Sequence, residues 1–213
     1  MDWRISAVTK ILLFAVAGTV FGAMTSMCNV FRIPILPQLL GDGWSWAAIG
    51  IAVAVIASVR RTLTVMVVLV AAVAGYYASD VALGVYNSID FSDPRAMSDP
   101  ATAPLVTLWV YALIDFVKWS VCAVLVSWPL ARVGVATRRG DGWGLAARMA
   151  VPLGAAVEVL ALRLPAELAV QPNVVTVATY GSVACIGIAA ATALCLMHAR
   201  NRSRGSNQPT AAD

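Results

Sequence analysis

Six apolar runs follow one another along the chain, at residues 11–30, 46–59, 62–79, 105–131, 146–164 and 174–197, with polar residues gathered in the gaps. Each is near the ~20 residues a helix needs to cross a hydrocarbon layer ~30 Å thick. Only helices or closed barrels satisfy their backbone inside lipid. The pattern therefore predicts an all-α fold: a single polytopic bundle of six transmembrane helices over residues 1–200, with 201–213 as a disordered cytoplasmic tail. Arg60-Arg61 alone part the second run from the third, which predicts a tight helical hairpin.

Charge sets the direction. Arg4 and Lys10 precede the first run, and Arg60-Arg61 follow the second. Arg132, Arg138, Arg139 and Arg148 surround the gap between the fourth and fifth runs, and Arg200, Arg202 and Arg204 close the sixth. The alternate gaps hold only Arg32, Arg95 and Arg163. Basic flanks remain cytoplasmic, so both ends are expected inside. The long gap around 81–104 is expected outside as an irregular loop, acidic through Asp90, Asp93 and Asp99 and broken by prolines. Trp3, Trp128 and Trp143 fall at expected inner edges, and Trp44, Trp46 and Trp109 at outer ones, as an aromatic belt should.

Composition agrees. The chain is 60% hydrophobic and 12% charged, a balance for lipid rather than water. Its net charge of +4 lies at helix ends, which points to headgroups and not to nucleic acid. The lipid bilayer is the expected partner, and a multi-pass protein of a bacterial plasma membrane the expected localisation. Cys28, Cys122, Cys185 and Cys195 sit within apolar runs without metal-ligand spacing, so they read as free thiols, with no metal and no cofactor expected. The first run lacks a small-residue cleavage site, so it is expected to stay as a span.

Few residues offer chemistry. Asp115 and Lys118 interrupt the fourth run and share a helix face. Glu158 lies in the fifth at a depth differing by roughly 6 Å. An ion in mid-bilayer costs ~2.5–3.5 kcal/mol or more, so all three are expected to point into the bundle, with Lys118 between the two carboxylates. The group reads as a proton, cation or solute site, or as an internal salt bridge fixing helix register. Tyr76, Tyr77 and Asp80 form a second polar patch at the outer end of the third run, as an interfacial anchor or a solute contact. Arg163 and Glu167, four apart, are expected to pair on the surface. Gly18, Gly22 and Ser26, and likewise Ala71, Gly75 and Ser79, recur every fourth residue, a spacing that lets helix backbones touch. They read as internal packing or as a docking face for a membrane partner on span one. No enzyme is expected. His198 is the only histidine, and no zinc-protease helix, nucleophile elbow or P-loop occurs. Asp141-Gly142 with Ala147-Arg148 has the wrong spacing for a CDP-alcohol phosphotransferase.

The stretches AGTVFGAMTSMCN, GDGWSWAAIGIAV, the Arg-Arg run ending in AVAGYY and GAAVEVLAL resemble a family of small actinobacterial six-span membrane proteins of unknown function. The resemblance covers much of the chain and implies architecture alone. Tyr76, Tyr77 and Glu158 match its positions, and Asp115 and Lys118 do not. Length, six runs and the small residues of span one also make the chain similar to substrate-binding subunits of energy-coupling-factor transporters. That likeness implies a docking face at Gly18 and Gly22 and ligand entry from outside near Tyr76. The expectation is a small-solute or ion permease or permease subunit, with a non-catalytic accessory or scaffold subunit as the alternative.

Overall fold

A computed structural model describes residues 7–57 and 60–206 of the protein. Trp3, Arg4, the end of the second run at 58–59 and the tail from 207 lie outside the described residues. The fold is helical, in the order α1 (Ala7–Val30), α2 (Leu36–Leu40), α3 (Gly43–Ile56), α4 (Arg61–Ala82), β1 (Asn87–Ile89), α5 (Arg95–Ser98), β2 (Leu105–Thr107), α6 (Trp109–Ala136), α7 (Gly142–Glu158), a π-turn (Val159–Arg163), α8 (Leu164–Ala169) and α9 (Val174–Ser206). Five segments are long and apolar enough to cross a membrane: α1, α4, α6, the stretch Gly142–Ala169, and α9. The sixth expected span is α3, with 14 residues and a length of ~21 Å. The last helix continues to Ser206, into the stretch expected as a tail. Contacts gather the chain into two compact units.

Unit 1 comprises Met1–Gly41 and Ala57–Pro129. Its centre is the pair α1 and α4. Gly18 faces Val68, Gly22 faces Ala72 and Ser26 bonds to Asp80, with residue numbers rising together, so the two helices run parallel; Thr19 faces Gly75. A Cβ at Gly18, Gly22 or Gly75 would collide with the carbonyl oxygen of Val68, Ala72 or Thr19. Backbone-to-backbone approach of this kind is what small residues one turn apart permit. The glycine face offered by the sequence to a partner protein is thus occupied within the chain. On the opposite side of α1, Leu12, Val16, Val20, Met24 and Met27 form an exposed apolar stripe. Two threonine hydroxyls of α1 return to their own backbone. Thr19 donates to the carbonyl of Ala15 at 3.1 Å, and Thr25 to that of Phe21 at 2.9 Å, which removes the cost of a lone polar group in an apolar setting.

The connection between α4 and α6 is more ordered than its prolines suggest. β1 and β2 pair antiparallel, Asn87 opposite Thr107, and the Thr107 hydroxyl donates to Asn87 Oδ1 at 2.8 Å. This clasp ties the end of α4 to the start of α6. Within the loop, Asp93 pairs with Arg95 at 2.9 Å, which holds the Asp93 carboxyl below its usual range.

Unit 2 comprises Asp42–Ile56 and Leu130–Asp213. The boundary inside α6 falls at Pro129, a position that removes one helical hydrogen bond. In unit 2, Gly187 of α9 meets Pro152 and Ala156 of α7, while Cys195 lies 3.6 Å from Met149, so α7 and α9 are antiparallel. The C-terminal ends of α3 and α6 lie level: Gly134 abuts Ala54, and the Arg138 guanidinium donates to the carbonyl of Val55. Asp141 caps α7 by accepting the Gly144 N–H at 3.0 Å and pairs with Arg139, which lowers its carboxyl pKa.

Candidate functional site

Among the described residues, each unit holds a polar cluster that includes residues singled out by the sequence. In unit 2 it forms where α3 begins. Helix starts leave backbone N–H groups without partners. Here the carboxylate of Glu158, brought from the far end of α7, accepts the N–H of Gly43 at 2.9 Å and of Trp44 at 2.8 Å. A side chain on Gly43 would crowd Glu158 Oε2, so the residue is small for a reason. Arg163 Nε lies 3.0 Å from Asp42 Oδ1, and an Arg163 terminal nitrogen lies 3.1 Å from Glu158 Oε1.

The π-turn makes this triad. In an α-helix, residues five apart point about 140° away from each other. The i→i+5 geometry of Val159–Arg163 brings Glu158 and Arg163 to one side. Single π-turns inside α-helices recur at functional sites. Asp42 is the most enclosed member, with its side chain 5% exposed and Oδ2 buried without a hydrogen-bond partner. Burial raises its pKa to about 6, the Arg163 charge opposes that, and the Glu158 charge adds to it. Beside the triad opens a cleft of about 530 Å³, lined by Glu158, Leu162, Arg163, Glu167, Gln171 and Tyr180. Asp42, Glu158 and Glu167 set three carboxylates against one guanidinium, so the surroundings favour a positive charge once Asp42 is ionised.

Two expectations change here. Arg163 does not pair with Glu167: it bridges Asp42 and Glu158, while Glu167 accepts the N–H of Asn173 at 3.0 Å. The cation serving Glu158 is Arg163 rather than Lys118.

In unit 1 the polar residues form a band. The Ser26 hydroxyl donates to Asp80 Oδ1 at 2.6 Å, and Asn29 Nδ2 donates to the Tyr76 hydroxyl at 3.1 Å. Tyr76 meets Tyr77 edge to face at 5.3 Å, and Tyr77 leans on Tyr86 at 6.3 Å. Tyr86 donates to Asp115 Oδ2 at 3.1 Å, and Lys118 Nζ lies 2.6 Å from Asp115 Oδ1. Burial, then the Asp115 carboxylate, pushes the Tyr86 hydroxyl up. The i,i+3 pair of Asp115 and Lys118 is thus present, and the turn after α4 supplies its third member, Tyr86. Neither residue is enclosed: the Lys118 side chain is 56% exposed and that of Asp115 35%. Lys118 lies over the Trp119 ring at 5.6 Å, and Val117, Trp119 and Val121 around it are exposed.

Among the described residues, no group of His, Cys, Asp or Glu has the makings of a transition-metal site. The cysteines are free, Cys28 buried and the other three exposed. No protein-family model matches the chain, and no curated protein or solved structure matches it either.

Proposed function

We propose that this chain is a plasma-membrane protein crossing the bilayer six times with both ends in the cytoplasm, and that it acts as a small-solute or ion permease or permease subunit. Parallel packing of α1 and α4 supports the even count. Two neighbours pointing the same way require a return crossing between them, and α3 is the helix available for it. At ~21 Å it is short for a ~30 Å layer, a mismatch that local thinning of the bilayer accommodates at small cost. Antiparallel α7 and α9, and the level ends of α3 and α6, fit the same threading. It puts Arg60, Arg61, Arg132, Arg138, Arg139, Arg148, Arg200 and Arg202 on the cytoplasmic side.

The observation that carries the functional reading is the cleft beside Glu158, at the outer end of α7 in this threading. It is large enough for a small metabolite, is polar on one wall and has an acidic surplus. A solute bearing an ammonium or guanidinium group suits that surplus. Purified protein exposed to a panel of small amines, guanidino compounds and carboxylates should be stabilised by the cationic members alone. Proteoliposomes should accumulate the same compounds, and Glu158→Gln and Glu167→Gln should both reduce uptake. Normal uptake by the two variants removes the reading.

One observation favours the accessory-subunit alternative. Lys118 lies on an open face of α6 in the middle of an apolar helix, where lipid tolerates a charge poorly. A partner helix bringing a carboxylate to that level would cover it. Retention of a co-purifying chain by wild type and its loss from Lys118→Leu is the matching test.

A further inference from the structure

Asp80 is a buried carboxylate of unit 1 that forms no ion pair among the described residues. Its residue is 6% exposed, and the side-chain donor found for it is the hydroxyl of Ser26, itself fully buried. Among the described residues, no Lys or Arg forms an ion pair with it; the cation of this unit's band, Lys118, is spent on Asp115. An isolated ionised carboxylate in such a place is strongly disfavoured unless something positive joins it.

Helix direction sharpens the problem. Asp80 lies in the last turn of α4, which ends at Ala82, and Ser26 lies close to the end of α1 at Val30. Because the two helices are parallel, both negative dipole ends converge on the same carboxylate. Neither helix carries a basic residue in its last turn, the usual remedy. Arg32, beyond the end of α1, is exposed. Asn29 and Tyr76, one helical turn from Ser26 and Asp80 respectively and bonded to each other, add uncharged oxygen atoms on the same two helices. The titratable groups that interact with the carboxylate are Tyr76 and Tyr77 on α4 and Tyr86 beyond its end, and Cys28 is the titratable side chain near the end of α1. None of them supplies positive charge.

We propose that Asp80, Ser26, Asn29 and Tyr76 form a binding site for one hard monovalent cation of the Na⁺ class, in which protons compete for the Asp80 carboxylate. The chemistry suits it: a carboxylate, a hydroxyl, an amide oxygen and a phenol oxygen are hard ligands. Helix C-terminal ends are a recurring means of holding Na⁺ or H⁺ in membrane proteins. The Ser26 hydroxyl donates to Asp80 when no ion is held and turns a lone pair toward the ion when one is. None of these residues lines the cleft of unit 2, so the site stands independently of the solute reading.

The test is thermal unfolding of the full-length protein in detergent, in sodium chloride or choline chloride at equal ionic strength, at pH 8.5 and pH 5.5. Sodium should raise the midpoint saturably at pH 8.5, by about 3–6 °C at ten times its dissociation constant. The rise should shrink at pH 5.5, and Asp80→Asn should abolish it at both. Binding of radioactive sodium to wild type, displaced by unlabelled sodium and by acid, reads the same site should Asp80→Asn not fold. Equal midpoints in sodium and choline at both pH values, with no displaceable sodium, overturn the proposal. A pH response that depends on Asp80 without any sodium effect also overturns it, leaving a proton as the sole occupant.

Discussion

Glu158 accepts the backbone N–H of Gly43 at 2.9 Å across 115 residues of sequence, so the start of α3 is capped by the end of α7. A short helix that lacks an acidic residue in its own first turn thereby borrows one. Arg163 holds the borrowed carboxylate in place.

Removal of this cap should loosen α3. Glu158→Ala should cost about 1–2 kcal/mol for the cap and leave Arg163 with Asp42 alone. In a chain of this size that lowers the unfolding midpoint by several degrees. Glu158→Gln, which keeps an acceptor, should lose less. An unchanged midpoint in Glu158→Ala would show that the cap contributes nothing.

Asp42 should make stability depend on pH in an unusual direction. Its folded pKa of about 6 lies above the ordinary 3.8. The stability this group contributes is therefore fully present below about pH 4 and is lost as pH rises through about 6. Two pK units correspond to about 3 kcal/mol. Asp42→Asn should consequently unfold at a higher midpoint than wild type at pH 7.5, with the advantage narrowing toward pH 4. Parallel curves for the two proteins from pH 4 to pH 7.5 would contradict the burial of this carboxyl.

The contact of α1 with α4 tolerates no side chain at three positions. Gly22→Leu should push the helices apart and cost about 1–3 kcal/mol or more, read as a lost yield of monodisperse protein and a lower midpoint. Val20→Leu, on the exposed stripe, should be within about 0.5 kcal/mol of wild type. Equal behaviour of the two variants would place the glycine face elsewhere.

Threading is testable by side-specific labelling. In a chain whose four cysteines are replaced by alanine, Ser92→Cys should react with an impermeant maleimide added to intact cells. Ser203→Cys should react only after permeabilisation. Labelling of both from outside would mean an even number of crossings between Ser92 and Ser203, where the threading requires three.

The apolar runs and their gaps were legible because lipid imposes one length and one backbone solution. Gly18, Gly22 and Gly75 were legible as packing residues, though their spacing does not name the helix they meet. What escaped the sequence was pairing across distance. Nothing adjacent to Asp42 marks it as the partner of Arg163, and the i,i+4 rule points Arg163 to Glu167 instead. That rule assumes 3.6 residues per turn, and the π-turn breaks it where it matters. Lys118 was assigned to the interior by its cost in lipid, a sound cost argument that does not say which molecule shields the charge. The 87–89 and 105–107 ladder was hidden by the prolines between its strands, which mark a loop without saying that its ends meet.

The parallel pair also has a timetable. Val68 follows Gly18 by 50 residues, so α1 leaves the ribosome several seconds before its partner at ~5–20 residues per second. Through that interval its bare glycine groove has only acyl chains, or an escort from the insertion machinery, to rest against. Early synthesis is thus the moment when this protein is most open to a wrong neighbour.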